Sequence, residues 1–308
     1  MLIWLVLIPL IAAALIGLCK APARPTALLS ASLTLALGIW ALVSFDGCSS
    51  CWSRFEGMDL QLTLAPALSK VMLLLTILVT FATVLGTNPP QGGEASWYNS
   101  ALLISAGATG AFLSDNIISF FAFHELALIP TFVMIGLYGR GDRRTTAWRA
   151  TLYLGLASMV LLAALLMIGT QAGFTFSGLK DFMASGRELA HAELIGALLI
   201  AGFGTLISLF PFHSWAAPAY ASAPAPVAMM HAGVLKKFGL YGLFMFQPLM
   251  ETGFLPWTNI LLVLLVCNVI WVGYVTVNQK RLDLLLGNSS VMHMGYIFLA
   301  FAALVVSG

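Results

Sequence analysis

Long apolar segments follow one another along almost the whole chain, and this arrangement restricts the possible folds more than any other feature. A helix needs about 20 mainly apolar residues to cross the hydrocarbon core of a bilayer. Of the 308 residues, 60% are hydrophobic and 8% are charged, whereas a soluble domain carries about 25% charged residues. The sequence therefore predicts an all-α polytopic membrane protein rather than a soluble domain with a large core.

Ten segments are predicted to span the membrane. The fourth and seventh are short, and the seventh runs into Pro211. Glycine and proline recur inside the segments, which is typical of the discontinuous helices at transport sites. The predicted segments are Leu2–Leu18, Thr26–Phe45, Gln61–Gly86, Tyr98–Leu113, Asn116–Tyr138, Ala150–Gln171, Leu194–Phe210, Pro224–Phe246, Trp257–Val277 and Leu284–Val306.

The loop charges predict the orientation. The first cation, Lys20, follows the first apolar segment, whereas a cleavable signal peptide carries its positive charge before the apolar stretch. With the N-terminus outside, the inner loops hold most of the loop cations, in agreement with the positive-inside rule. The net charge of +2 includes no basic tract for nucleic acid. The inner cations are then Lys20, Arg24, Arg140, Arg143, Arg144, Arg149, Lys280 and Arg281, and the outer ones are Arg54, Lys180 and Arg187.

A glutamate within the fifth segment is the first candidate for chemistry. Glu125 lies in SFFAFHELALIPTF, and a charge at this depth costs at least about 2.5 kcal/mol on insertion scales. Pro130 follows five residues later and is expected to kink the helix. His124 points about 100° away on an ideal helix and is a weaker relay candidate. The alternative is that Glu125 pairs structurally with a loop arginine.

The eighth segment carries two adjacent lysines and a histidine. Lys236 and Lys237 cannot face the same surface, because successive helical residues rotate by about 100°. A buried lysine readily loses its proton and histidine titrates near neutrality, so together with His231 the pair suits proton relay. The alternative places both lysines in solvent at the membrane interface.

Three further features permit more than one interpretation. His293, in the tenth segment, is either a relay residue or a hydrogen-bonded core histidine. His213 follows Pro211 in FPFHSW and either caps the helix break or moves protons. Cys48 and Cys51 form a CxxC in an outer loop, where a disulfide is possible, and no further cysteine or histidine is spaced for a metal site.

The chain contains no dinucleotide fingerprint, P-loop, iron–sulfur cysteine set or haem motif. We therefore expect no cofactor, no metal and no catalytic redox centre in this chain, and any redox chemistry belongs to other subunits.

Three stretches resemble the antiporter-like proton-translocating subunits of respiratory complex I, in particular the M-type chain. They are SFFAFHELALIPTF, FPFHSWAAPAYASAPAPVAMMHAGVLKKFGLYGLFMF and QKRLDLLLGNSSVMHMGYIFLA. Related subunits occur in membrane-bound hydrogenases and Mrp-type cation/proton antiporters. The resemblance implies an antiporter-like fold of fourteen helices with two inverted five-helix repeats. It divides this chain into residues 1–97 with helices one to three, residues 98–247 with one complete repeat, and residues 248–308 with an incomplete second repeat.

The resemblance also assigns residues. It matches Glu125 to the fifth-helix glutamate, Lys237 and His231 to the eighth-helix lysine and histidine, and His293 to the tenth-helix histidine. Leu206 stands where the family carries its seventh-helix lysine, five residues before Pro211. The usual glutamate–lysine pair is therefore missing, and one hypothesis is that Lys236 replaces the absent partner of Glu125.

The implied function is proton translocation within an NADH-quinone oxidoreductase of the complex I type in a bacterial inner membrane. NADH, FMN, iron–sulfur clusters and quinone are expected in partner subunits, and the partners are neighbouring membrane subunits. A hydrogenase or an Mrp-type antiporter is the alternative complex, because its subunits share these motifs and the sequence discriminates them poorly. Leu206 and the early end of the chain, which implies a fragment or a short variant, favour a non-conducting structural subunit as a further alternative.

Overall fold

The computed structural model describes residues 1–44, 49–51 and 60–307. Within them the chain is almost entirely helical. The elements in chain order are α1 (Leu2–Gly17), α2 (Ala23–Ser44), β1 (Ser49–Cys51), β2 (Gln61–Thr63), α3 (Ala67–Gly86), α4 (Glu94–Leu113), α5 (Ile117–Tyr138), α6 (Arg143–Ala172), α7 (Phe176–Ala184), α8 (Ala192–Leu206), α9 (Ala216–Ser222), α10 (Ala225–Met230), a π turn (His231–Leu235), α11 (Lys237–Met245), a 3₁₀ turn (Gln247–Leu249), a second π turn (Met250–Phe254), a further 3₁₀ turn (Leu255–Trp257), α12 (Thr258–Cys267), a third π turn (Asn268–Val272), α13 (Gly273–Val277) and α14 (Leu282–Ser307).

Six helical stretches in the described part of the chain are long and apolar enough to cross a bilayer, and α1 and α8 are shorter apolar helices. Many large apolar side chains are exposed on their outer faces, including Leu156 on α6 and Ile270 near α12. Such surfaces require lipid rather than water. The chain is therefore an integral membrane protein. The six stretches are Ala23–Ser44, Ala67–Gly86, Ile117–Tyr138, Arg143–Ala172, Gln247–Val277 and Leu282–Val306.

The chain forms two compact units. The first contains Met1–Gly139 and Pro224–Lys237, and the second contains Arg140–Ala223 and the chain from Phe238 onward. In the first unit, α1, α2, α3 and α4 share a core of small and aliphatic side chains with β2. In the second, α6 packs on α8 and α14 packs on α9. The predicted division at residues 97 and 247 concerns repeats and stays a prediction.

The third predicted segment begins too early. Residues Gln61–Thr63 form β2, which pairs antiparallel with β1 through Ser49 opposite Thr63. Helix α3 begins only after Pro66, whose ψ of 131° is extended. A proline also biases the residue before it toward extended backbone, so the helical pattern cannot start at Gln61. The two short strands are an exception to the predicted all-α class.

Other boundaries also differ from the prediction. The eighth segment is not one helix but α10, a π turn and α11. The seventh ends at Leu206, before the predicted Phe210. The loop after α6 contains the unpredicted helix α7, whose Thr175 side chain accepts a hydrogen bond from the Gly178 amide. Cys48 and the side chain of Cys51 lie outside the described residues.

Candidate functional site

Helix α5 is held close to α4, and this contact positions Glu125. The Asn116 side chain caps α5 by accepting hydrogen bonds from the amides of Ile118 and Ser119 at 2.9 and 3.0 Å. On α4, a Cβ at Gly107 would lie 2.7 Å from the Phe123 carbonyl oxygen of α5. Only glycine allows the two backbones this approach.

Glu125 lies beside a buried histidine. The distance from Nδ1 of His124 to Oε1 of Glu125 is 3.1 Å, and the side chains are 2% and 29% exposed. The Cα–Cβ directions of neighbouring helical residues differ by about 100°, but the two flexible side chains still meet. Pro130 is buried within α5 and supplies no amide to the carbonyl four residues earlier.

The two lysines occupy different environments, as their adjacency predicts. Lys236 is 1% exposed and belongs to the largest fully buried side chains, whereas Lys237 is partly exposed. The alternative in which both lysines are solvated is therefore wrong for Lys236. His231 is also buried, at 4% exposure.

A π turn separates His231 from the lysines. The Lys236 amide donates to the His231 carbonyl at 3.0 Å, a spacing of five residues. Nζ of Lys237 donates to the Ala232 carbonyl at 3.3 Å within the same turn. This turn packs against α3 and α5. Single π turns occur frequently at functional sites, but the sequence pattern did not predict this one.

The first unit thus brings together Glu125, His124, Pro130, His231, Lys236 and Lys237. The remaining predicted residues lie in the second unit. Leu206 is the last residue of α8 and is 4% exposed. Its match to the family lysine stays a prediction. A cis bond joins Phe210 to Pro211.

His213 and His293 have separate local environments in the second unit. The His213 ring is partly buried and stacks on Phe210 with 5.4 Å between ring centroids. His293 lies on an exposed face of α14, where Nδ1 is 2.7 Å from the Ser289 carbonyl oxygen. His293 is therefore hydrogen-bonded but exposed, so the interpretation of a core histidine is wrong, and its relay role stays a prediction.

Asn268 is a structural residue that sequence analysis missed. Its side chain is fully buried. Oδ1 accepts from the Phe210 amide at 3.1 Å, and Nδ2 donates to the Val291 carbonyl at 3.2 Å. One amide thereby fixes the break after α8 to α14. The available signal was a lone amide within the apolar run VLLVCNVIWV.

The fold and sequence have relatives among energy-converting membrane complexes. NAD(P)H-quinone oxidoreductase chain 4 2 of Microcystis aeruginosa is 32% identical over 243 residues, which cover 77% of this chain and 43% of the relative. Chain 4 1 of Picosynechococcus sp. is 30% identical over 259 residues, which cover 82% of this chain and 47% of the relative. The chain thus spans less than half the length of these relatives.

Solved structures show the same fold. A chain of respiratory complex I from Thermus thermophilus has a TM-score of 0.84 at 25% identity, covering 96% of this chain and 63% of that chain. A chain of the Mrp complex from Dietzia sp. has a TM-score of 0.83 at 21% identity, covering 96% and 33%. Residues 114–307 match the family described as NADH:quinone oxidoreductase/Mrp antiporter, transmembrane. This match covers more than half of the chain, which therefore belongs to the family of NADH:quinone oxidoreductase/Mrp antiporter membrane subunits.

Proposed function

We propose that this chain is part of a proton-translocating membrane subunit of an NADH-quinone oxidoreductase of the complex I type. The observation that carries the proposal is Lys236, a fully buried lysine in a π-interrupted helix that packs against the helix of Glu125. An ionisable group inside a membrane is costly and marks an ion or proton path by default. Family membership and the names of the relatives support the same function.

The residues of the first unit supply groups for a proton cycle. A cation near Glu125 stabilises its carboxylate, and withdrawal of that cation lets the carboxylate take up a proton. His124, at 3.1 Å, is placed to exchange this proton with Glu125. Lys236, Lys237 and His231 lie together on the neighbouring element. His293 is the proposed relay residue of the second unit.

The remaining features of the family complete the proposal. The chain contributes ten membrane-spanning segments, with one complete repeat and part of a second, and its N-terminus faces the outer side of a bacterial inner membrane. Its partners are neighbouring antiporter-like and quinone-site subunits. NADH, FMN, iron–sulfur clusters and quinone belong to partner subunits. The redox reaction in those subunits drives the proton cycle of this chain through movement of charge.

A second candidate is a structural subunit that does not conduct. The observation that favours it is Leu206, because an apolar side chain buried at the end of α8 cannot supply the cation that the family places there. A hydrogenase-type or Mrp-type complex is a variant of the first proposal with a different redox partner or with cation exchange.

Inverted membrane vesicles containing the complete complex and the full-length chain test the proposal. NADH oxidation and proton uptake are measured together for Lys236→Met and Glu125→Gln, with Lys180→Met as an exposed lysine control. We expect both intramembrane variants to lose most proton uptake per NADH while the control keeps it. Uptake unchanged in both the Lys236 and the Glu125 variant supports the structural subunit. Sodium-dependent exchange without NADH supports the Mrp-type variant.

A further inference from the structure

Buried hydroxyl groups form a stripe along one side of α3. Thr80 and Thr83 lie on this side with Ser69 and Thr76, and Thr87 follows the end of the helix. From Ser69 through Thr76, Thr80 and Thr83 to Thr87, the intervals are seven, four, three and four residues. These intervals keep the five side chains within about 40° of one line along the helix. The stripe lies between Ile77, which contacts Gly38 of α2, and Val79, which contacts Gly233 of the π turn.

Helix α4 carries a matching set. Tyr98, Ser105 and Thr109 share one face, because their intervals are seven and four residues. Gly107, which contacts α5, lies on the opposite side of α4. Helix α4 packs against α1, α2 and α3, so its hydroxyl face is turned toward the interior of the first unit.

Six of these interior hydroxyls, and that of Ser30 on α2, have no hydrogen-bond partner among the described residues, and each belongs to a residue that is at most 3% exposed. An unsatisfied buried polar group costs about 1–3 kcal/mol. Ordered water normally satisfies such groups, with two to four polar partners for each molecule. We name these seven the hydroxyl column: Ser30 on α2, Thr80, Thr83 and Thr87 on or after α3, and Tyr98, Ser105 and Thr109 on α4.

One end of the hydroxyl column reaches the membrane surface. Arg24 and Glu94, at the first turns of α2 and α4, interact electrostatically with Tyr98. Thr87 lies at the same end, since it begins the loop to α4. This is the surface that carries Lys20, which the loop charges predict to be the inner side.

The other end of the hydroxyl column lies at the depth of Glu125. From Tyr98 to Thr109 the column extends about 16 Å along α4, or about half of the hydrocarbon core. Gly107 lies within this stretch and contacts α5 between Phe123 and Ala127. Glu125 lies between those two residues in sequence and therefore at the same level.

We propose that the hydroxyl column binds a chain of ordered water that leads from the surface bearing Arg24 and Glu94 to the level of Glu125. Neutral hydroxyls donate to and accept from water, but they lack the negative charge that a resident metal cation requires. Protons cross such a chain by exchange between water molecules. The hydration stands by itself, whereas proton delivery to Glu125 rests on the proposed function.

Silver ion tests the hydration directly. In the full-length chain within its native complex, Cys19, Cys48, Cys51 and Cys267 are first replaced by serine. Thr83→Cys and Ser105→Cys then place a thiol in the hydroxyl column, while Ile77→Cys places one in a buried apolar contact on the same helix. We expect Ag⁺ to modify the two column thiols at least about tenfold faster than the control, because thiolate forms in water and not in apolar surroundings. Equal rates for all three overturn the proposal.

Transport tests the path. We expect the double variant Thr83→Val with Ser105→Ala to lower proton uptake several-fold. The single variant Thr83→Ser is expected to keep the uptake of the unaltered chain, because serine keeps the hydroxyl. Modified column thiols with normal uptake in the double variant overturn proton delivery. If the unaltered chain moves no protons, the proposed function fails, and the silver result still decides the hydration.

Discussion

His124 and Glu125 form a side-chain pair in the interior of α5, with 3.1 Å between Nδ1 and Oε1. The histidine is almost completely buried and the carboxylate is partly exposed. A buried imidazole within hydrogen-bond distance of a carboxylate can donate to it or take its proton. The pair therefore joins the partly exposed carboxylate of Glu125 to a histidine in the interior of the first unit.

Replacing His124 is expected to affect transport more than folding. His124→Gln keeps an amide of similar reach that cannot take up a proton. We expect proton uptake per NADH to fall several-fold, while the free energy of unfolding of the chain in detergent changes by about 1 kcal/mol, the typical effect of a point substitution. A variant with full uptake would limit His124 to a structural role.

The hypothesis that Lys236 replaces the family lysine predicts energetic coupling to Glu125. Contacting residues in one charge network show coupling energies of about 0.5–3 kcal/mol in a double-mutant cycle. We expect this range for Lys236→Met combined with Glu125→Gln, measured by unfolding in detergent. Lys237→Met is the matched control on the adjacent residue. Strictly additive effects of the two substitutions on the free energy of unfolding would contradict the hypothesis.

Because α4 packs closely on α5, a single methyl group added at their contact is expected to lower the stability of the chain. Gly107→Ala forces a Cβ against the backbone of α5, and overpacking of this kind costs about 1–3 kcal/mol. Gly155→Ala on α6 is the control, because its Cβ meets no atom within 4 Å. We expect the control to be neutral or slightly stabilising, since alanine favours helix over glycine. Equal stability of the two variants, measured by thermal unfolding, would contradict the close approach.

Asn268 predicts a second stability effect. Asn268→Leu leaves the Phe210 amide without its buried partner, which costs about 1–3 kcal/mol. It also removes the additional side-chain donor to the Val291 carbonyl of α14. The control is Asn278→Leu, because Asn278 is exposed and donates only locally to the Tyr274 carbonyl. Thermal unfolding of both variants in the same detergent measures the difference, and a control that loses as much stability would refute the role.

The predicted orientation follows from loop charge and is tested by labelling. Arg144 and Lys180 are exposed and lie in loops or helix ends predicted to face opposite sides. A membrane-impermeant maleimide is expected to react with Lys180→Cys in intact cells, and with Arg144→Cys only in inverted vesicles. The reverse pattern would invert the topology.

Several residues of the candidate site could be predicted from the sequence, because a charged residue within a long apolar run is costly in a membrane and is visible in the sequence alone. Glu125 and Lys236 stand out as charged residues in apolar runs, and the motifs around them identified the family. The π turn was not predictable, because its sequence HAGVL fits an α-helix equally well. The burial of Lys236 distinguished it from Lys237, which adjacency alone could not do.

By itself the sequence determined the membrane environment, the mostly helical fold and the family, because each depends on local hydrophobicity or on contiguous motifs. Only the tertiary structure decided what the polar residues contact. Threonine and serine at 3.6-residue spacing fit a hydrated column or a set of local carbonyl hydrogen bonds. The difference depends on which helix lies opposite, and that is set by close contacts such as Gly107 on α5, between residues distant in the chain.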